Sequence, residues 1–328
     1  MMKWNTAPIS IHFMPDCGEI ENLRPARNIV NPDLPYHFLH EQEPDEKGNL
    51  LQVNTIFLTG RECAFRCLMC DLWKNTLKGP TQPGAIVKQI DYALARLPQA
   101  NIIKLYNSSN FFDKKAIHPS DYPGIIKRLQ SYQKVIVENH PKLCGQVCVE
   151  FNEMLGGTLE IAMGLESIHP NVLPRLNKQL TPEDFKQTAA FLSEHKIEVR
   201  AFILLNPPFL TDKRGNIEWA FKAVQFAFDS GVGCCSIIPT RPGNGIMEVL
   251  QENGDYVPPS LDALEEVFEL ALALKQGRVF ADTWDIDFLS LCPQCFKTRK
   301  HRLEQMNLTQ KFHQRIACNC YSNHEANQ

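Results

Sequence analysis

From residue 55 onward the chain repeats one pattern, a short β-branched or apolar run followed by an amphipathic stretch. The runs are TIFLTG (55–60), NIIKLYNS (101–108), KVIVENH (134–140), LEIAMGLES (159–167), VRAFILLNPP (199–208) and CCSIIPT (234–240). Helices are expected around 84–97, 123–133, 143–155, 181–196, 216–230 and 260–276. In the first, Ile86, Ile90, Ala93, Leu94 and Leu97 recur at helical spacing. In the fourth, Thr181 reads as an N-cap, Pro182 as the first helical residue and Asp184 as the acid at the third position. Strands that alternate with helices pair in parallel through right-handed crossovers. Nearly continuous apolar strands imply a sheet covered on at least one face. Six such units predict an α/β fold, a partial (β/α)6 TIM-like barrel with a short cysteine-bearing C-terminal extension. By analogy with full barrels, ligands should gather at the carboxyl ends of the strands.

Three segments are expected. Residues 1–54, rich in proline, asparagine and charge, read as an irregular N-terminal extension packing on the barrel. Residues 55–277 form the barrel, and 278–328 form a cysteine-rich, metal-binding extension. No internal repeat is evident. No apolar run reaches the roughly 18–20 residues that span a bilayer, so no membrane partner is expected. The first twenty residues lack an apolar core followed by a small-residue cleavage site, which points to a cytoplasmic protein. In that setting twelve cysteines suggest metal or redox chemistry rather than disulfides. A net charge of −3 argues against a broadly basic nucleic-acid surface but leaves room for a local patch.

The densest chemistry lies in LTGRECAFRCLMCDLW, where Cys63, Cys67 and Cys70 are spaced C-x3-C-x2-C on the loop after the first strand. Three thiolates can hold three irons of a [4Fe–4S] cluster and leave the fourth open to a non-protein ligand. Structural zinc is the rival, but it usually takes four ligands, and no fourth lies beside this triplet. Three unligated loop cysteines are the plainest alternative.

This motif, placed after a strand in a βα series, resembles the radical S-adenosylmethionine (SAM) enzymes, and the resemblance extends over roughly residues 50–245. It implies that the methionine end of SAM chelates the open iron. An electron from a donor such as flavodoxin or ferredoxin then cleaves SAM to methionine and a 5′-deoxyadenosyl radical, which abstracts hydrogen from a substrate. The family often has an aromatic residue before the last cysteine; here it is Met69, and Phe65 offers apolar shielding instead. Where the family carries a Gly-Gly-Glu-like loop for the SAM amino group, this chain has YNSSN (106–110), so backbone carbonyls with Asn107 or Ser108 take that role. Glu138 and Pro141 match an E-x-x-P element of one branch, and Glu166 and Ser167, in GLES, match a segment near the SAM ribose. Arg175 and Lys178 lie where that branch has an arginine facing the SAM carboxylate. Lys178 keeps the charge without the bidentate fork, and Arg175 compensates. FILLNPPF (202–209) and IIPTRPGNG (237–245) match the fifth and sixth strand ends, the latter near the adenine. KLYNSSNFFD, AMGLES and LLNPPFLT are similar to the branch of the elongator catalytic subunit and the archaeosine-forming radical lyase, which is dominated by tRNA modification. No residue is singled out as the one that meets the substrate.

Of the remaining cysteines, Cys144 and Cys148 share an apolar helical stripe with Val147, Phe151 and Leu155 and read as core, as do Cys234 and Cys235; Cys17 is uninformative. In the tail, Cys292 and Cys295 form C-x2-C, and Cys318 and Cys320 form C-x-C. Together they make a four-thiolate site for zinc or an auxiliary iron–sulfur cluster, with His301 and His313 as spare ligands better read as surface residues. The run KTRKHR (297–302) reads either as a solvated helix face or as a phosphate-facing patch of Lys297, Arg299, Lys300 and Arg302. The leading expectation is thus a radical SAM enzyme acting on a tRNA nucleoside, a peptide or a small metabolite. The alternative is a non-catalytic module whose cysteine groups are structural.

Overall fold

Among the described residues, seven of the eight strands run parallel, because a helical crossover carries the chain back between each one and the next. The computed structural model describes residues 17–290 and 292–320, so the outermost parts of both predicted extensions lie outside the described residues. The strands are β1 (His37–Pro44), β2 (Leu50–Phe57), β3 (Ile102–Tyr106), β4 (Lys134–Glu138), β5 (Thr158–Glu166), β6 (Glu198–Leu205), β7 (Cys234–Pro239) and β8 (Arg278–Ala281). They follow one another across a single sheet in chain order. Helix α1 (Cys17–Asn22) precedes the sheet. Helices α2 (Ala85–Leu94), α3 (Tyr122–Leu129), α4 (Gln146–Glu153), α5 (Pro182–Glu194) and α6 (Lys213–Asp229) link successive strands from β2 to β7. Between β7 and β8 lie α7 (Ile246–Glu252) and α8 (Leu261–Ala273), and α9 (Phe296–Thr309) follows β8. The six sequence-derived strands are β2 to β7, and the curled, open sheet is the partial barrel the alternation predicts. Thr181 and Asp184 form a reciprocal capping box at the start of α5.

Strand alternation sorts the two faces. Ile103, Leu105, Val135, Val137, Ile161, Met163, Ala201 and Ile203 point outward into the main core with the helices. Val53, Ile102, Ile136 and Ala162 point inward, with Tyr106 and Phe202 packed beside them.

The same inward rows carry charge. Glu43 of β1 sits 2.6 Å from Lys104 and 3.2 Å from Arg278, and it also pairs with Arg200. Glu160 meets Arg200 at 2.6 Å, Arg278 at 3.4 Å and Lys134 at 3.6 Å. These groups lie toward the amino ends of β3 to β8 and fill that end of the lumen. Burial disfavours the charge of Glu43, but Arg200 and Lys104 outweigh it and hold its carboxyl well below the usual range.

Two expectations are corrected here. The segment read as irregular up to residue 54 contains β1 and the start of β2, an antiparallel hairpin whose turn is built on Asp45. The Asp45 carboxylate accepts the backbone N–H groups of Lys47 and Asn49, both at 2.8 Å. Of the glutamates that make the segment look polar, Glu41 and Glu43 are strand residues paired with Lys104, and Glu46 in the turn meets Lys134 and Arg278. Cys144, expected on a helix, lies just before α4. It accepts a hydrogen bond from Asn139 at 3.3 Å, while Cys148, Cys234 and Cys235 are buried as expected.

Removing one member of a buried ion network strands its partners. Glu43→Gln should lower unfolding free energy by about 3–5 kcal/mol. The exposed pair Asp91–Arg128 should cost less than about 1 kcal/mol when broken by Asp91→Asn. Urea denaturation of the two variants, side by side, checks the contrast.

Candidate functional site

Cys63, Cys67 and Cys70 lie on the loop between β2 and a short 3-10 turn, Leu72–Asn75. The loop is pinned from several directions. Asn244 donates to the carbonyls of Leu68 at 2.8 Å and Cys70 at 3.2 Å. Asn177 donates to the Arg66 carbonyl at 2.7 Å, and Trp73 Nε1 donates to the Cys70 carbonyl at 3.1 Å. The Leu68 N–H reaches the Leu176 carbonyl at 2.9 Å. Glu62 holds Arg24 at 2.7 Å and also pairs with Arg27, tying the segment before β1 to the loop. At the loop's start the Gln89 side chain brackets Thr59, accepting its N–H and donating to its carbonyl.

Around this loop stand the carboxyl ends of the strands. Ser108 after β3, Glu166 ending β5 and Asn206 after β6 all have positive φ, at 53°, 63° and 55°. Non-glycine residues held in this region store strain and cluster at functional sites. Several buried polar atoms there have no hydrogen-bond partner among the described residues: both side-chain amide atoms of Asn107, the Ser109 hydroxyl and Asn206 Oδ1.

Asn110 donates from Nδ2 to Cys63 Sγ at 3.1 Å and accepts the His140 N–H at 2.6 Å through Oδ1. The Phe65 ring stacks on His140, with centroids 3.7 Å apart and planes 13° apart. His140 is held neutral, its pKa lowered to about 3 by burial and then by the neighbouring Lys178 ammonium. Lys178 is buried and pairs with Glu166 at 2.7 Å. Burial works against its charge, yet Glu166 beside it keeps the ammonium protonated. The three thiols are pushed up by burial, Cys67 to about 11, while Lys178 pulls Cys63 and Cys67 back down. Metal binding here would therefore release protons.

Glu138 accepts the Asn107 N–H at 2.6 Å, so the carboxylate at the end of β4 organises the loop after β3. Enclosed by the surrounding protein, it is pushed up to about 7. Tyr36 meets the Ser108 hydroxyl at 2.9 Å. The Arg175 guanidinium lies 3.4 Å from the Phe209 ring centroid, stacked on that ring, while Lys178 is the cation beside the cysteines. Ser167 is buried at the same rim, and its hydroxyl caps the His169 N–H at 3.1 Å.

Most of the predicted residues thus border one end of the barrel. Sequence reading missed Asn110, His140, Asn177 and Asn244. Only the glycine-rich setting of Asn244 hinted at a special loop: Gly245 has φ 94°, and a Cβ there would overlap the Leu23 carbonyl.

In the tail, Cys292 and Cys318 bring their sulfurs to 3.7 Å, and Cys295 and Cys320 to 3.6 Å. All four ligand atoms lie within 4.8 Å of one another. His301 is exposed beside Glu304, and His313 meets the Thr309 hydroxyl at 3.0 Å; neither belongs to the sulfur group. The phosphate-facing patch is corrected. Arg299 is buried against Asp262 at 2.5 Å and Glu265 at 2.7 Å. Arg302 is buried against Glu269 at 2.5 Å and Glu265 at 3.2 Å. These acids of α8 are invisible to a count of charge along the tail. Only Lys297 of the four is exposed, and Lys300 is half-buried.

No family model matches the chain. An uncharacterized protein of Methanocaldococcus jannaschii is 23% identical over 81% of this chain and 79% of its own length. Archaeosine synthase subunit beta of Methanosarcina acetivorans is 24% identical over 63% of this chain, which spans 62% of that protein. The fold is similar to the radical SAM methyltransferase TsrM of Kitasatospora setae, with a TM-score of 0.43 and 16% identity over 60% of this chain and 39% of that one. The proteins of known structure that it resembles in outline include radical SAM enzymes. Its sequence relatives include archaeosine synthase beta subunits. No helix among the described residues is long and apolar enough to cross a membrane.

Two variants probe the rim. A Cβ at Gly164 would overlap both Glu166 Oε1 and Lys178 Nζ, so Gly164→Ala should displace that pair and destabilise the protein by about 1–3 kcal/mol, read by thermal and urea unfolding. Glu138 titrates higher folded than unfolded, so it contributes stability below about pH 4.5 that is lost as pH rises through 7. Glu138→Gln should therefore gain stability relative to the parent protein as pH rises from about 5 to 8.

Proposed function

We propose that the chain is a radical SAM enzyme whose Cys63, Cys67 and Cys70 hold a [4Fe–4S] cluster and whose strand ends bind SAM. The observation that carries this is the clamped three-thiol loop facing strained strand ends with unpaired buried polar atoms. Among the described residues, only the tail cysteines are grouped at single-ion spacing. The loop triplet, three thiols at C-x3-C-x2-C spacing, suits a cluster with one iron left to a ligand. When bound, the cluster and SAM supply the reductive cleavage and the radical that abstracts hydrogen.

The chain's own residues then have distinct tasks. The Asn110 amide, already on Cys63 Sγ, would stabilise a reduced, more negative cluster. Lys178 balances thiolate charge from within the protein. Asn107, Ser108 and Ser109 offer polar groups to the amino-acid end of SAM, while Glu138 holds their loop. Glu166 and Ser167 border the site assigned to the ribose. Arg175, stacked on Phe209, stands at the rim, where a bound carboxylate could engage it.

A tRNA nucleoside is the substrate class we favour, since the relatives include archaeosine synthase beta subunits. A cytoplasmic setting and a flavodoxin or ferredoxin donor accord with this reading. Its phosphate contacts must come from elsewhere than Arg299 and Arg302.

Anaerobically reconstituted protein should convert SAM to methionine and 5′-deoxyadenosine under reduction. Alanine at any one of Cys63, Cys67 or Cys70 should reduce this to background while urea unfolding stays near that of the parent. Activity in the triple variant would sink the assignment and favour a structural module. Asn110→Ala should keep the cluster but lower its potential, read by redox titration. Binding of tRNA should weaken steeply with salt; negligible binding at low salt would favour a peptide or metabolite.

A further inference from the structure

A single tetrahedral ion with metal–sulfur bonds of about 2.3 Å places its sulfurs about 3.8 Å apart. The tail thiols pair at 3.7 Å and 3.6 Å, and all four fall within 4.8 Å. In an iron–sulfur cluster the thiolates are shared among several irons and spread wider than this. We propose that Cys292, Cys295, Cys318 and Cys320 bind one zinc ion, and that this ion staples a helix that seals the open edge of the half-barrel.

The sealing is visible at β8. This strand ends the sheet, so Val279 and Ala281 turn their N–H and C=O groups away from β7 to an edge with no further strand among the described residues. Gln310 covers Val279, accepting its N–H at 2.8 Å and donating to its carbonyl at 2.8 Å. Asn307 does the same for Ala281, at 2.9 Å and 2.8 Å. Two side-chain amides thus imitate the missing neighbour strand and shield an edge that would otherwise invite pairing. Helix α9 touches both β8 and β1, the two margins of the sheet.

The helix has little reason to stay there by propensity alone. It is polar over most of its length and buries few apolar residues, Leu303 and Met306 among them. What fixes it is tertiary. Arg299 and Arg302 pair with α8, and Arg302 also donates to the carbonyls of His313 at 2.9 Å and Gln314 at 3.0 Å. The chain before α9 supplies two thiols and the chain returning past its far end supplies the other two. One ion therefore closes the whole excursion. Metal binding in such a small closed site is folding free energy for the segment it joins. A four-thiolate site has no open position, which makes this ion structural rather than catalytic. The assignment is independent of the chemistry proposed for the barrel.

The test uses the full chain, purified without added metal, and compares it with Cys318→Ser/Cys320→Ser. Elemental analysis should find one zinc per chain in the parent and none in the variant, with iron equal in both. Cobalt exchanged into the parent should give the absorption of a tetrahedral tetrathiolate ion. Hydrogen exchange at the Val279 and Ala281 amides should accelerate at least about tenfold in the variant, with β3 to β5 unchanged. Asn307→Ala should retain zinc and accelerate Ala281 preferentially, which separates edge sealing from general unfolding. Iron in place of zinc at this site, or zinc unchanged in the double variant, would overturn the metal assignment. Unaltered exchange at both amides after zinc loss would overturn the stapling.

Discussion

The closed end of the barrel rests on a few carboxylates facing several cations. Glu43 and Glu160 are buried with Lys104, Arg200 and Arg278 in the lumen, and half-buried Lys134 meets Glu160. Burying any of these charges alone would be prohibitive. Each is tolerable because its neighbours neutralise it and take its hydrogen bonds. The arrangement also gives the barrel its direction. The amino ends of the strands are filled by charge, so a ligand has only the carboxyl end to enter, where the cysteine loop and strained residues lie. The network joins the sheet's margins as well, since Arg278 of β8 reaches Glu43 and the Pro44 carbonyl, each at 3.2 Å.

At the carboxyl end many of the organising groups are neutral amides. Asn110, Asn177, Asn206, Asn244 and Gln89 hold backbone or sulfur without adding charge near the thiols. A cluster and SAM would bring substantial charge of their own, and fixed dipoles can accommodate it without the rearrangement that mobile side chains require. Lys178, paired to Glu166, is a full cation set beside Cys63 and Cys67. Its geometry depends on Gly164, which leaves room for both members of the pair.

An incomplete barrel must also cover two sheet edges. Here α9 lies against both margins, and Trp284 just beyond β8 lies 5.8 Å from His37 and 6.0 Å from Phe57, measured between ring centroids. Arg241 holds the Trp284 carbonyl at 2.6 Å and Asp282 at 2.6 Å, linking this corner to the loop after β7. The half-barrel is therefore bounded by side chains where a full barrel is bounded by a backbone ladder.

The sequence by itself determined the elements whose signal is local. Strands β2 to β7 declared themselves by apolar runs, α5 by its capping box, and the cysteine groups by spacing. The tertiary structure alone decided which polar residues were buried and against what. Glu43 looks like a surface acid until Arg200, 157 residues away, is placed beside it. Asn244 becomes an anchor of the cysteine loop only when Leu68, 176 residues away, arrives within reach. Arg299 and Arg302 resemble a phosphate patch until α8 supplies their acids. The physical reason is common to all three. Hydrophobic periodicity and capping act over one or two turns of chain, so they leave a local trace. An ion pair or an amide contact between distant segments exists only once the fold has brought its two ends together.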